Sequence, residues 1–216
     1  MDIYTMLYTL GCSFTYGEEL PDPSTQSWPA LLANKLGYTL DNQGQPGRGN
    51  SYIVRTAMEQ VPQLKPKLVI VAWTSCGRME FHSNTDNAEF DIWPGCSRLW
   101  PKRYPEREEL VKNITVHHSN DQHQYRNWLR SVILLQDFFK LRNINYRFVS
   151  AFDNQTLNRL YMQKNQVYVD LIDTDKFIGW PFNGMSEWQG DCPRGPNGHP
   201  LELGHQRIAD AILSAL

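Results

Sequence analysis

Ser13 and His199 are the residues whose types and surroundings best suit nucleophilic chemistry. Ser13 lies in a turn of small residues, 11–17, that interrupts an apolar, β-prone run beginning at residue 4. A side chain at the carboxyl end of a strand in an open α/β sheet stands in the crevice where such folds bind ligands. A serine hydroxyl attacks well only when a base removes its proton, and His199, in a loop before the C-terminal helical pattern, is the candidate base. The pair predicts acyl transfer.

Two other interpretations compete for this turn. In one, Ser13 serves only as the N-cap of the first helix, a common role for serine. In the other, Cys12 is the nucleophile in place of Ser13. The Gly-x-Ser-x-Gly pattern of the α/β-hydrolase elbow is absent, because Thr15 stands where the second glycine would be.

Three blocks of the sequence resemble the SGNH (GDSL-like) hydrolase family. Residues 11–17 are similar to its first block, residues 42–47 to its second, and residues 199–205 to its last. The start Gly-Cys-Ser-Phe-Thr also resembles divergent bacterial and phage members. The resemblance implies a three-layer α/β/α, flavodoxin-like sandwich with a serine esterase site and neither a metal nor an organic cofactor.

The third member of the implied triad departs from the family. The family's aspartate precedes the histidine by three residues, and Pro196 occupies that position here. Three interpretations remain open. Asp191 folds back onto His199, a backbone carbonyl takes the role, or Asn197 helps to position the loop.

The resemblance also implies donors for an oxyanion. The backbone N–H groups of Ser13 and Gly47 are the candidates, and glycine allows a close approach of the main chain. The family's third donor is an asparagine in a Gly-x-Asn-Asp block, which this sequence lacks. Ser75 and Arg78 are the substitutes at that position, and a turn serine and a surface arginine are the alternatives.

Apolar periodicity predicts strands alternating with helices, and therefore a mostly parallel sheet of about five strands. Residues 68–73 are continuously apolar, as in a strand buried on both faces. The other predicted strands are the first run and residues 38–42, 146–151 and 167–171, and the predicted helices are residues 28–36, 51–61, 125–141, 154–162 and 206–213.

The sequence predicts a single domain, residues 1–216, with an irregular insertion at about 74–124 after the third strand. A connection of that length is usually functional. A second long loop covers residues 172–198. Five tryptophans in or beside these loops predict either an aromatic-lined cleft or simple packing of the loops: Trp73, Trp93, Trp100, Trp180 and Trp188.

Composition excludes several classes of function. A net charge of -2 without a basic run argues against a nucleic-acid partner. No apolar run reaches the roughly 20 residues that a membrane span requires, and no signal peptide is evident, so we expect a cytoplasmic protein, or one associated with a virion if it comes from a phage. The four cysteines form no CxxC pair, and we expect free thiols. The histidines at 117, 118 and 123, with Asp121, lack ligand spacing, so we expect no metal site.

The sequence thus predicts a serine esterase that cleaves a small acyl ester, with a small-molecule or carbohydrate substrate such as an O-acetylated sugar. An acyltransferase would use the same residues. A catalytically inactive module that binds a glycan or a protein is the alternative from another class, because the aspartate and the Gly-x-Asn-Asp block are missing.

Overall fold

A four-stranded parallel sheet forms the centre of the computed structural model, which describes residues 5–94, 96, 105–152 and 155–216. The strands are β1 (Met6–Gly11), β2 (Thr39–Gly44), β3 (Leu68–Trp73), β4 (Met79–Ser83), β5 (Ala88–Ile92) and β6 (Tyr146–Ser150). The sheet order is β2-β1-β3-β6, and β4 and β5 form a separate antiparallel hairpin.

Helices alternate with the parallel strands along the described chain. They are α1 (Ser13–Tyr16), α2 (Pro23–Gln26), α3 (Trp28–Leu36), α4 (Asn50–Leu64), α5 (Pro105–Asn113), α6 (Asp121–Leu141), α7 (Gln155–Lys164), α8 (Gln166–Val169), α9 (Met185–Gln189) and α10 (Glu202–Ser214). A π-helical turn, Ile114–His118, and a 3₁₀ turn, Thr174–Lys176, complete the helical structure of these residues. Residue 154, the start of one predicted helix, lies outside the described residues.

The two faces of the sheet carry separate apolar cores. Every residue of β3 is buried, so alternate side chains of this strand enter opposite layers. Val69 and Val71 pack with α4 and α6, and Leu68 and Ile70 pack with α3 and α10. The predicted three-layer α/β/α class, with its mostly parallel sheet, is therefore confirmed.

The fifth strand predicted at residues 167–171 is wrong. These residues form α8 and a following turn, in which the N–H groups of Tyr168 and Val169 donate to the Asn165 carbonyl. One helical turn buries Val169 in the core and leaves Val167 exposed, whereas a strand would place both on one face. The position beside β6 is taken by a single parallel bridge between Phe148 and Phe177.

The insertion after β3 contains more regular structure than its sequence pattern predicted. The β4–β5 hairpin pairs Phe81 with Phe90, and Arg55 of α4 joins it through a hydrogen bond to Glu80 of 2.9 Å. Alternating apolar and polar residues on either side of the polar stretch 84–87 were the available signal for this hairpin. The single-domain assignment stays a prediction.

Within the described chain, we find no helix whose length and apolar composition would suit a membrane span.

His205 joins α10 to α3 in the interior. Its side chain is fully buried, and its Nδ1 accepts a hydrogen bond of 3.0 Å from the backbone N–H of Trp28. Burial, aided by the charge of nearby His199, lowers the pKa of His205 to about 4 from its ordinary 6.5. The imidazole is therefore neutral in the folded protein at pH 7.

We expect the free energy of unfolding to fall as the pH drops from 6.5 towards 4. In that range the unfolded chain binds a proton at His205 that the folded chain does not, which costs up to ~1.4 kcal/mol per pH unit. Asparagine at this position keeps an acceptor for Trp28 but cannot titrate. In chemical denaturation at pH 7, 6 and 5, the stability of wild type should fall relative to that of His205→Asn. Parallel pH profiles would contradict the assignment.

Candidate active site

Ser13 lies where β1 ends and α1 begins. Cys12 caps this short helix, and its carbonyl accepts the N–H of Tyr16 at 2.9 Å. Ser13 is therefore the first residue inside the helix and not its cap. Its side chain is 3% exposed, so only a small part of the residue reaches the cleft that it lines.

His199 is held in place by Glu19, a residue 180 positions earlier in the chain. The Glu19 carboxylate lies 2.8 Å from His199 Nδ1 and accepts the backbone N–H of His199 at 3.1 Å. It also accepts the N–H of Asn197 at 2.9 Å. One carboxylate thus orients the imidazole and the loop that carries it.

The backbone conformation of Glu19 and the close approach of Gly195 make this contact possible. Glu19 has a φ of 71°, in the left-handed region that non-glycine residues seldom adopt. A Cβ on Gly195 would lie 2.5 Å from the carboxyl carbon of Glu19, so only glycine allows this approach. Partial burial raises the pKa of Glu19, but the N–H donors of Asn197 and His199 outweigh it and hold the pKa below its ordinary value.

The other imidazole nitrogen of His199 faces Glu18. The distance from Nε2 to the Glu18 carboxylate is 3.3 Å. The Ser13 hydroxyl makes no hydrogen bond with any described residue. In this conformation, therefore, the imidazole lies between two carboxylates and does not bind the serine.

The loop that carries Gly47 forms another part of the wall of the cleft. Gly47 has a φ of 77°, which favours glycine. The buried carboxylate of Asp91, on β5, accepts the N–H of Gly49 at 2.9 Å and pairs with Arg48 at 3.4 Å. Burial raises the pKa of Asp91, although Arg48 and the Gly49 N–H oppose this shift. The insertion thereby anchors the loop.

The two backbone donors predicted from the sequence both lie on this cleft. Among the described residues, neither the N–H of Ser13 nor that of Gly47 has a hydrogen-bond partner. Both residues line the same cleft, which has a volume of about 570 Å³. Such a pair of free amides is what a developing oxyanion needs.

Six of the residues singled out from the sequence meet in this cleft. They are Ser13, Gly47, Arg78, Trp93, Asn197 and His199. The Arg78 guanidinium lies over the Trp93 ring at 4.7 Å and the Phe152 ring at 5.4 Å, and its Nη1 donates to the Arg48 carbonyl at 2.9 Å.

Asp191 and Ser75 lie elsewhere. The Asp191 side chain is 94% exposed and pairs with Arg207 at 3.1 Å, because it lies on the outer face of the C-terminal loop. The carboxylate beside His199 is Glu19, which corrects the interpretation that Asp191 folds back. The Ser75 hydroxyl accepts the N–H of Gly77 at 3.3 Å, as a turn residue does, and Ser75 does not line the cleft.

Cys12 and three of the other four tryptophans singled out from the sequence do not line the described cleft. Cys12 is fully buried in the core beneath the serine. The described residues contain no group of three or more His, Cys, Asp or Glu side chains that could hold a metal ion. Trp180 stacks on Trp128 in the core, Trp73 and Trp188 also pack into the cores, and Trp100 lies outside the described residues.

Sequence reasoning missed Glu19, Glu18 and Asp91. Glu18 and Glu19 directly follow the serine turn, so their place in the sequence was the one available signal. Asp91 stands near the end of an alternating run inside the insertion, and nothing local marks it as buried.

The sequence matches the family described as Family of unknown function (DUF6071) over residues 20–215. The chain belongs to this family. The DUF6071 match begins just after the segment that contains Ser13, Glu18 and Glu19. No curated protein is significantly similar in sequence.

Solved structures share the fold of this DUF6071 chain. TesA has a TM-score of 0.61 at 13% identity, with 98% of each chain covered. The esterase EstA from Pseudoalteromonas sp., solved with monoethylphosphonate as inhibitor, has a TM-score of 0.57 at 12% identity and covers 98% of this chain and 96% of its own. A mutant of Axe2, an acetyl-xylooligosaccharide esterase from Geobacillus, has a TM-score of 0.54 at 18% identity and covers 100% and 96%. Structures of the G-D-S-L lipolytic family also match, so the SGNH resemblance is confirmed at the level of the fold.

We expect Glu19→Gln to loosen the His199 loop. A neutral amide accepts the Asn197 and His199 N–H groups more weakly than a carboxylate does, and we expect a loss of about 2 kcal/mol at pH 7. Because the pKa of Glu19 is lowered in the folded state, this stabilisation is lost as the pH falls through that lowered pKa. Amide hydrogen exchange at Asn197 and His199 and melting curves from pH 7 to 3 measure both effects. Asp191→Asn is the matched control, and equal behaviour of the two variants would contradict the role of Glu19.

Proposed function

We propose that this protein is a serine hydrolase of the SGNH type that cleaves a small acyl ester. The observation that carries the proposal is the cleft, in which Ser13, two unpartnered backbone amides and a carboxylate-bound His199 lie together. Glu19 replaces the family's aspartate as the third member of the triad.

The chemistry follows from these positions. The His199 imidazole takes the Ser13 proton as the hydroxyl attacks the ester carbonyl, and Glu19 stabilises the imidazolium. The N–H groups of Ser13 and Gly47 bind the oxyanion of the tetrahedral intermediate. Collapse releases the alcohol, which receives the proton from His199, and leaves an acyl group on Ser13. Water, deprotonated by the same imidazole, then releases the acid.

The fold neighbours support a hydrolase over other uses of the fold. EstA is described as an esterase inhibited by monoethylphosphonate, and Axe2 as an acetyl-xylooligosaccharide esterase. The Trp93 ring on the cleft wall would suit stacking on a sugar. We therefore propose an O-acetylated carbohydrate as the substrate. An acyltransferase would differ only in using an alcohol in place of water.

A binding module is the second candidate, and one observation favours it. His199 Nε2 contacts Glu18 in this conformation, and the Ser13 hydroxyl is not hydrogen-bonded to any described residue. For catalysis, Glu18 must move away from Nε2. A module that binds a glycan without cleaving it would have no such requirement.

The test is covalent labelling with a fluorophosphonate, read by intact mass, together with turnover of acetyl esters. Wild type should gain one adduct, and Ser13→Ala and His199→Ala should gain none, while the melting temperature of Ser13→Ala changes little because its hydroxyl has no described partner. Glu19→Gln should lose about 10²- to 10⁴-fold in kcat.

Asp191→Asn is the control for the carboxylate and should turn over esters at the wild-type rate. A folded wild type that gains no adduct would favour the binding module. An adduct that Asp191→Asn loses and Glu19→Gln keeps would overturn the role of Glu19.

A separate prediction concerns Asp91, a positioning residue that acts through the Gly47 loop. Asp91→Ala removes the acceptor of the Gly49 N–H and the partner of Arg48, so the Gly47 amide loses its fixed direction. We expect kcat to fall by about tenfold or more with a smaller change in KM.

Asp86→Ala is the matched control, since Asp86 pairs with Arg107 in the same insertion without contact to this loop. An equal loss of kcat in both variants would indicate a general effect of the insertion instead.

A further inference from the structure

Arg78 is a half-buried cation on the wall of the cleft. Among the residues that the structure describes, four other arginines form ion pairs, namely Arg48, Arg55, Arg107 and Arg207. Within the described part of the chain, no carboxylate lies within ion-pair distance of Arg78. Among the described residues, its guanidinium donates one hydrogen bond, to the Arg48 carbonyl, although a guanidinium has five N–H donors. Most of its hydrogen-bonding capacity is therefore unused on the wall of the cleft.

Two aromatic rings and one hydrogen bond fix the orientation of the Arg78 guanidinium. The rings of Trp93 and Phe152 lie 4.7 Å and 5.4 Å from the guanidinium carbon, and the bond to Arg48 anchors one nitrogen. A cation held in this way loses little further conformational entropy when it binds an anion.

Arg194 is a second unpaired cation on the same cleft. It forms no ion pair and no side-chain hydrogen bond with any described residue, and it lines the cleft together with Ser13 and His199. Its backbone is tied by an isolated bridge to Pro200, next to His199. The loop that presents the imidazole therefore also presents this guanidinium.

The two carboxylates nearest the cleft contact groups other than these guanidiniums. Glu19 binds His199 and Asn197, and Glu18, which lines the cleft, faces His199 Nε2. Both acidic groups are thus associated with the imidazole and its loop. The two guanidiniums remain as positive charges on the walls around Ser13.

We infer that the substrate is an ester that carries an anionic group, a carboxylate or a phosphate, which Arg78 and Arg194 bind while Ser13 attacks the acyl carbon. This inference rests on the proposed function and narrows its substrate class. An acetylated acidic sugar would meet both requirements, because the anion and the ester occupy one small molecule.

The test compares three acetate esters of phenols: 4-acetoxybenzoate, 4-acetoxyphenyl phosphate and the neutral methyl 4-acetoxybenzoate. Each kcat/KM is divided by the rate of imidazole-catalysed hydrolysis of the same ester, which removes differences in leaving-group reactivity. We expect wild type to prefer at least one anionic ester by about tenfold. The carboxylate and phosphate arms identify which anion fits.

Arg78→Gln and Arg194→Gln should each lower the ratio of anionic to neutral kcat/KM towards one. Arg130→Gln is the control, since it removes the same charge from an exposed position on α6. If Arg78 instead stabilises the oxyanion, Arg78→Gln lowers kcat/KM for the anionic and the neutral esters equally, and their ratio does not change. Melting curves verify folding, and the exposed Arg194 supplies a variant that does not depend on the packing around Arg78.

A wild-type ratio at or below one for both anions, or a ratio that neither arginine variant changes, would overturn the inference. If no ester is turned over, the proposed function fails first. Calorimetry with Ser13→Ala then tests the cation pair alone. Binding of 4-acetoxybenzoate that exceeds that of its methyl ester and disappears in Ser13→Ala/Arg78→Gln would support the anion site, and equal binding of the two would overturn it.

Discussion

The contact between Glu19 and the His199 loop is the interaction on which the rest of the site depends. A single carboxylate accepts N–H groups from Asn197 and His199 and the imidazole Nδ1. Hydrogen bonds to a charged acceptor are stronger than neutral ones. This contact therefore fixes both the conformation of the loop and the orientation of the imidazole ring. It also joins the two ends of the chain, since β1 leads to Ser13 and Glu19, and α10 follows His199. The fold brings these ends together because β1 is central and α10 packs on the layer beside it.

A buried carboxylate, Asp91, performs the same task for a second loop of the cleft. Asp91 reaches from the insertion and holds Gly49 and Arg48, and so restrains the loop that carries Gly47. Asn50 fixes the neighbouring loop, because its side chain binds both the N–H and the carbonyl of Thr74. The loops around the cleft are therefore restrained by polar side chains, each of which binds backbone groups. The insertion belongs to the site and is not an appendage.

The parts of the fold that were predictable are those with strong local patterns. Residues 68–73 were identified as a buried strand because a continuous apolar run of that length is typical of a strand buried on both faces. Residues 28–36 were identified as a helix because Gly37 ends their helical pattern. Residues 167–171 were misassigned because a short apolar stretch suits a strand or one helical turn equally well. Burial of Val169 against neighbouring helices decided between them, and that contact is not local. The hairpin that pairs Phe81 with Phe90 was missed because its alternating pattern is short and lies among residues without any regular pattern.

By itself, the sequence determined the α/β/α class, the place of Ser13 at the end of the first strand and the loop position of His199. These follow from periodicity and from motifs that lie within a few residues of each other. Only the tertiary structure decided which carboxylate meets the imidazole, and which amides and arginines around the cleft have no partner among the described residues. The physical reason is distance along the chain. Glu19 and His199 are 180 residues apart, so their contact depends on how the sheet and its two helical layers close, and Asp191, although near in sequence, faces solvent and Arg207.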